Sequence, residues 1–298
     1  MLDHKPNNPA FSKAPSASTD PTTERETLLR SLGLPQRVVF LDVDDTLVKV
    51  GGRFEDLDPK LLSLFRSQTA RLKLLGCEIG LGSDSPQPQL ARLASWLGIS
   101  GPIIAENGSL VSYSGKVAAL ESFETCAALR QEILATAKEL PHYRQMTDCT
   151  SRQFGGDAVI FELNEWAFGA DRQASVSVFG PAAFLQQIVD RMGGEKPGMD
   201  CAYESNFLAF HPAQDFRRAK AQTLAEISKT GVEVVMIGNS LSDWVEPEHR
   251  VHCLLVGNAT ADVKATGALV SKLDYFAGVL DCLTRISVCD GIFRVTSE

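Results

Sequence analysis

The feature that most constrains this chain is the stretch from Arg37 to Val48, where the apolar run Val38-Val39-Phe40-Leu41 leads directly into Asp42-Val43-Asp44-Asp45-Thr46. An unbroken apolar run of this length suits a strand covered on both faces, as in a parallel sheet with helices on either side. Acidic residues straight after it fall at the carboxyl end of the strand, the edge where open α/β sheets bind ligands. The next segments keep the same alternation. Pro59 to Leu75 carries Leu61, Leu62, Leu64, Phe65 and Leu72 at helical spacing, Cys77 to Leu81 reads as a strand, Gln87 to Leu97 as a helix, and Pro102 to Val111 as a third strand.

From 115 to 212 the pattern changes. A helix over Phe123 to Leu140 precedes strands at Ala158 to Trp166 and Ala174 to Gly180. A helix over Pro181 to Met192 then precedes strands at Met199 to Tyr203 and Phe207 to Phe210. Helix-strand-strand twice over predicts an antiparallel α+β module. Strand-helix alternation then resumes with a helix over Arg218 to Lys229, strands at Val232 to Ser240 and His252 to Ala259, and helices near Asp262 to Thr266 and Tyr275 to Leu283. The expected fold class is therefore α/β, a doubly wound, mainly parallel sheet made by residues 25–114 and 213–298, with an α+β insert over 115–212. Residues 1–24, rich in Pro, Ser, Thr and Asn without apolar periodicity, read as a disordered tail.

The acidic residues at positions 42 and 44 suggest a chemistry. A carboxylate can attack phosphorus and split one hard displacement into two easier ones. A second carboxylate beside it can protonate the leaving alcohol and later take a proton from water. Such a pair needs a hard cation with oxygen ligands, Mg²⁺ being the best fit. The net charge of -8 and the pI near 5.3 exclude a broad nucleic-acid or anionic-membrane surface, so a phosphorylated substrate would need a local cation. With no apolar run long enough to span a membrane and no leader, the expectation is a cytoplasmic enzyme. The seven cysteines are odd in number and scattered, which reads as reduced thiols.

Asp42-Val43-Asp44-Asp45-Thr46 after a strand resembles the first motif of the haloacid dehalogenase-like phosphatases. The resemblance implies that Asp42 is the nucleophile and a metal ligand, Asp44 the general acid/base with a metal-binding backbone carbonyl, and Thr46 a neighbour of the substrate. The family's remaining motifs occur in order. Ser83 in GLGSDS corresponds to the phosphate-binding hydroxyl, although Asp84-Ser85 stands where many relatives have Gly-Arg. Lys220 in FRRAKAQTL corresponds to the catalytic lysine. Gly238-Asn239-Ser240-Leu241-Ser242-Asp243 corresponds to the metal motif, with Asn239 in place of its first Asp, so that Asn239 and Asp243 would complete the Mg²⁺ site with one charge fewer. Glu106-Asn107-Gly108 and Gly257-Asn258-Ala259 resemble the Cof-type, sucrose-phosphatase-like branch with its C2-type cap. Asp84 stands as a substrate contact, and in that branch Asn107 and Asn258 would touch substrate or cap, whereas turn residues satisfying backbone groups are the plain alternative for the two asparagines. Tyr143, Arg144, Arg152, Trp166 and Trp244 are candidate ligand contacts or packing groups, and the histidines form no metal pattern. The activity implied is a Mg²⁺-dependent phosphatase acting on a small phosphorylated metabolite such as a sugar phosphate. A binding or regulatory protein with weakened turnover and a sugar phosphomutase are the alternatives.

Overall fold

The structure is a computed structural model that describes residues 21–50, 52–121, 123–150, 162–192, 200–204, 207–211, 218–247 and 249–296. An eight-stranded sheet carries β1 (Arg37–Leu41), β2 (Glu78–Gly82), β3 (Ile103–Ala105), β4 (Leu110–Tyr113), β5 (Lys116–Ala119), β11 (Glu233–Gly238), β12 (Val251–Leu255) and β13 (Leu269–Val270). Their order across the sheet is β13-β12-β11-β1-β2-β3-β4-β5. The strands from β13 to β3 are parallel, and β4 and β5 close the edge as an antiparallel hairpin.

Strand β1 shows why this sheet needs helices on both faces. Val39 and Leu41 join one apolar cluster with Phe65 and Leu72 of α2 (Pro59–Leu74), Leu90 and Leu97 of α3 (Gln87–Leu97), and Phe276 and Leu283 of α8 (Tyr275–Thr284). Val38 and Phe40 point the other way, to Leu29 of α1 (Pro21–Ser31) and Leu224 and Ile227 of α6 (Ala219–Lys229). All four β1 residues are fully buried. Truncating a side chain such as Phe40 to Ala would cost about 3–5 kcal/mol.

A second sheet has the order β6-β7-β8-β10-β9, formed by β6 (Arg144–Gln145), β7 (Glu165–Phe168), β8 (Val176–Phe179), β9 (Asp200–Glu204) and β10 (Phe207–His211). It is antiparallel except for β6 against β7. Helices α4 (Phe123–Lys138) and α5 (Ala182–Arg191) cover one of its faces around Trp166, Phe168, Phe184 and Phe210. The short α7 (Ala261–Lys264) and a terminal hairpin, β14 (Ile286–Cys289) with β15 (Ile292–Val295), complete the described chain.

Several boundaries differ from expectation. The expected third strand breaks at Glu106–Gly108, where Asn107 has φ 56° and Gly108 φ 101°. A Cβ at Gly108 would lie 2.8 Å from the Ala219 carbonyl oxygen, so this turn can pack against α6 only with glycine there. The expected edge of the insert, 115, falls in the turn between β4 and β5, and β5 belongs to the large sheet. Helix α1 starts at Pro21, inside the segment expected to be a tail, while residues 1–20 lie outside the described residues. Of the expected strand at 158–166, residues 158–161 lie outside them, and the observed strand begins at Glu165 after a turn. Arg152 also lies outside them. Cys77, Cys126, Cys149, Cys253, Cys282 and Cys289 are free thiols, and no described helix is long and apolar enough to cross a membrane.

Candidate active site

The carboxyl ends of β1, β2 and β11 converge. The Asp42 amide donates to the carbonyl of Ile237 at 2.9 Å, which fixes the first residue beyond β1 against β11. Val43 and Leu47 are buried behind the turn, and Asp45 takes φ 54° to bring the chain round. Asp42, only 5 % exposed, accepts from Lys220 Nζ at 2.6 Å through Oδ1 and from Thr46 Oγ1 at 2.9 Å through Oδ2. Lys220, in the first turn of α6, is also buried; its Nζ lies 2.6 Å from Asp243 Oδ1 and 3.3 Å from the Gly82 carbonyl oxygen. Asp42, Lys220 and Asp243 thus share one pocket, as the sequence led one to expect.

Asp243 is held by the turn that follows β11. Its Oδ2 accepts from the Asn239 and Ser240 amides at 3.0 and 3.1 Å and from Ser240 Oγ at 3.1 Å. A Cβ at Gly238 would fall 2.3 Å from the Asp243 carboxyl carbon, so that position has no room for a side chain. On the β2 side, Ser83 Oγ accepts from the Ser85 amide at 3.0 Å and lies 3.5 Å from Asp44 Oδ2.

The electrostatics are one-sided. Burial, then Asp243, and to a smaller extent Asp44 push the Asp42 carboxyl up to about 7 against the opposing pull of Lys220. Burial alone would lower Lys220, but Asp243 and Asp42 outweigh it and hold the ammonium well above its ordinary value. Asp42 and Asp243 share the one ammonium of Lys220, and Asp44 adds negative charge near Asp42. Among the described residues, no three His, Cys, Asp or Glu side chains converge as a metal cluster. The hard oxygen donors that the structure places here are the buried Asp42 and Asp243 carboxylates. Hard oxygen donors carrying surplus negative charge fit a small divalent cation such as Mg²⁺.

The other expected contacts are placed as follows. Asn258 donates from Nδ2 to the Asp45 carbonyl at 2.7 Å and accepts from the Tyr275 amide at 2.8 Å, so its amide joins two loops. Asn107 is buried, and its backbone amide donates to the Ser83 carbonyl at 3.1 Å. Asp84 does not face the lysine side of the pocket. It pairs with Arg172 Nη2 at 3.0 Å, and its Oδ1 lies 3.3 Å from His211 Nε2, both groups carried by the second sheet's half of the chain. Burial alone would raise Asp84, but Arg172, His211 and Lys220 together hold it below its ordinary value. Trp166 and Tyr143 pack on Phe184, Arg144 pairs with Glu165, and Trp244 lies under Arg218.

Sequence reasoning gave no role to Glu106, Arg172, Ser175 or His211. Glu106 is fully buried and accepts from the Gln173 and Ala174 amides at 2.8 and 2.9 Å and from Ser175 Oγ at 2.6 Å. It clasps the β7–β8 loop to the large sheet, and burial raises its pKa despite those donors. Glu106 sits in the Glu-Asn-Gly segment already singled out. Arg172 lies in a stretch with no pattern of its own.

No family model matches the chain. Over 254 residues it is 23 % identical to a phosphoglycolate phosphatase of Metallosphaera sedula, covering 84 % of this chain and 98 % of that protein. A haloacid dehalogenase-like hydrolase from Bacteroides thetaiotaomicron superposes with a TM-score of 0.59 and 17 % identity, over 84 % of this chain and 98 % of that one. A subclass IIB sugar phosphatase of the same superfamily superposes with a TM-score of 0.52 and 15 % identity, over 83 % and 98 %. The parallel sheet and the second α+β body agree with these likenesses: the chain has the fold of the haloacid dehalogenase-like hydrolases.

Proposed function

We propose that the chain is a phosphate monoester hydrolase acting on a small phosphorylated metabolite. The observation that carries this reading is Lys220 Nζ held 2.6 Å from both Asp42 and Asp243 at the carboxyl edge of the large sheet, with Asp44 beside Ser83. A carboxylate oxygen of Asp42 attacks phosphorus, the bond from phosphorus to the ester oxygen breaks, and Asp44 gives that oxygen its proton. Asp44 then takes a proton from a water that attacks the aspartyl-phosphate, releasing phosphate and restoring Asp42. Lys220 and the Ser83 hydroxyl offset the charge of the phosphoryl oxygens. Asp42, the Asp44 carbonyl and Asn239, backed by Asp243, would hold Mg²⁺, which supplies the positive charge this site lacks. The body built on the second sheet, inserted between β5 and α6, acts as the cap that shields the reaction from bulk water.

The relatives' names point to two kinds of substrate, phosphoglycolate and sugar phosphates. The test of the general reading is phosphate release from p-nitrophenyl phosphate with Mg²⁺. Wild type should turn over and Asp42→Asn should not; a variant that kept most of the rate would refute the nucleophile.

A further inference from the structure

The two faces of the second sheet are made by alternate residues and meet different surroundings. Val176, Val178, Leu208 and Phe210 join the apolar cluster under α4 and α5. Ser175, Ser177, Ala209 and His211 take the opposite positions and are buried all the same. The large-sheet body covers this side, since Ser175 Oγ donates to Glu106 at 2.6 Å and His211 lies 3.3 Å from Asp84. Asp84 directly follows Ser83, whose hydroxyl is 3.5 Å from Asp44. The polar face therefore borders the part of the site where an alcohol would leave from Asp44.

Arg172, in the loop leading into β8, stands at the rim of this face. A guanidinium has five N–H groups. Nη1 and Nη2 give one each to the two oxygens of Asp84, at 3.2 and 3.0 Å, and Nη1 gives its other to Ser175 Oγ at 2.8 Å. The edge formed by Nε–H and the second Nη2–H has no hydrogen-bond partner among the described residues. That edge is a two-pronged donor matched to a planar carboxylate. The side chain is 9 % exposed, so water competes weakly for it, and Asp84 and Ser175 already fix its rotamer. Its charge acts on Asp44 as well as on Asp84 and Glu106. With Phe123, Ala127, Arg130 and Val176 it also lines a cavity of about 390 Å³ on the α4 side, apart from Asp42, Asp44, Ser83 and Lys220.

We propose that Arg172 is a specificity-determining residue whose open fork binds a carboxylate on the leaving alcohol, so that the substrate class is a short phosphate monoester of a hydroxy acid. Asp84 is its positioning residue: it orients the guanidinium without exhausting its donors. This inference rests on the phosphatase reading and replaces the expectation of a sugar phosphate, whose neutral hydroxyls would leave the fork without an anion.

The test compares 2-phosphoglycolate with 2-hydroxyethyl phosphate, in which a CH₂OH group replaces the carboxylate. Both are assayed with Mg²⁺ in wild type, Arg172→Gln and Arg172→Lys. Wild type should favour the acid at least tenfold in kcat/KM. Arg172→Gln should lose most of that ratio through a higher KM for the acid, and Arg172→Lys, which keeps the charge but has no fork, should lose part of it. No preference in wild type, or variants that slow both esters alike, would overturn the proposal, because a residue that merely latched the two bodies together would move both substrates equally. If wild type released phosphate from neither ester nor from p-nitrophenyl phosphate, the phosphatase reading would fall and take this one with it.

Discussion

Replacing Asp42 by Asn should abolish turnover and yet stabilise the metal-free protein. Burial, with Asp243 and Asp44 nearby, raises the Asp42 carboxyl from its ordinary 3.8 to about 7. At 1.36 kcal/mol per pH unit, the ionised form then costs the folded state up to about 4 kcal/mol above neutrality. The sign follows from the direction of the shift. With the folded pKa raised, the favourable contribution is complete below about pH 4 and is lost as pH climbs through 7. Asn has nearly the same shape and carries no charge, and Lys220 keeps Asp243 as its partner. Thermal unfolding with a chelator present should therefore show Asp42→Asn above wild type at pH 8, by up to about 6 °C at roughly 1.6 °C per kcal/mol for a chain of this size. The gap should narrow towards pH 5. Added Mg²⁺ should stabilise wild type more than the variant. An Asp42→Asn protein no more stable than wild type at pH 8, or a gap independent of pH, would refute the account of the site as overloaded with negative charge.

Asp44→Asn should cut phosphate release by a factor of 10² or more, the usual scale for general acid/base loss, with the larger effect on esters of poorly leaving alcohols. Asn239→Asp should lower the Mg²⁺ concentration needed for half-maximal rate and, in chelator, lower the melting temperature, because it adds a carboxylate to the turn that holds Asp243. Asp84, held below its ordinary pKa, contributes stability above about pH 4 that disappears as pH falls through its lowered value. Asp84→Asn should therefore cost about 1–2 kcal/mol at neutral pH and nothing in strong acid, read as converging denaturant midpoints.

The parts that could be read from the sequence are those fixed by short-range pattern. Val38 to Leu41 announced a doubly covered strand, and Asp42, Ser83, Lys220 and Asp243 fell at the ends of elements whose order brings them to one edge. The β4–β5 hairpin escaped notice because Glu106-Asn107-Gly108 interrupts an apolar run with residues that the strand pattern alone does not mark as a turn. The terminal hairpin, in which only Phe293 and Ile286 are deeply buried, offered little alternation to detect. Arg172 and His211 were illegible for a different reason. Their meaning comes from Asp84 and Glu106, 60 or more positions away in the chain, and nothing local to either residue encodes that partnership.

The seam between the two bodies is closed by charges: Glu106 under the β7–β8 loop, Asp84 against Arg172 and His211. Parting an oily joint exposes surface that water rejects, whereas parting this one returns carboxylates and a guanidinium to a solvent that welcomes them. Such a closure is specific in its alignment and cheap to undo. On the phosphatase reading, the two bodies can therefore part to admit an ester and discharge two products without melting any of the core.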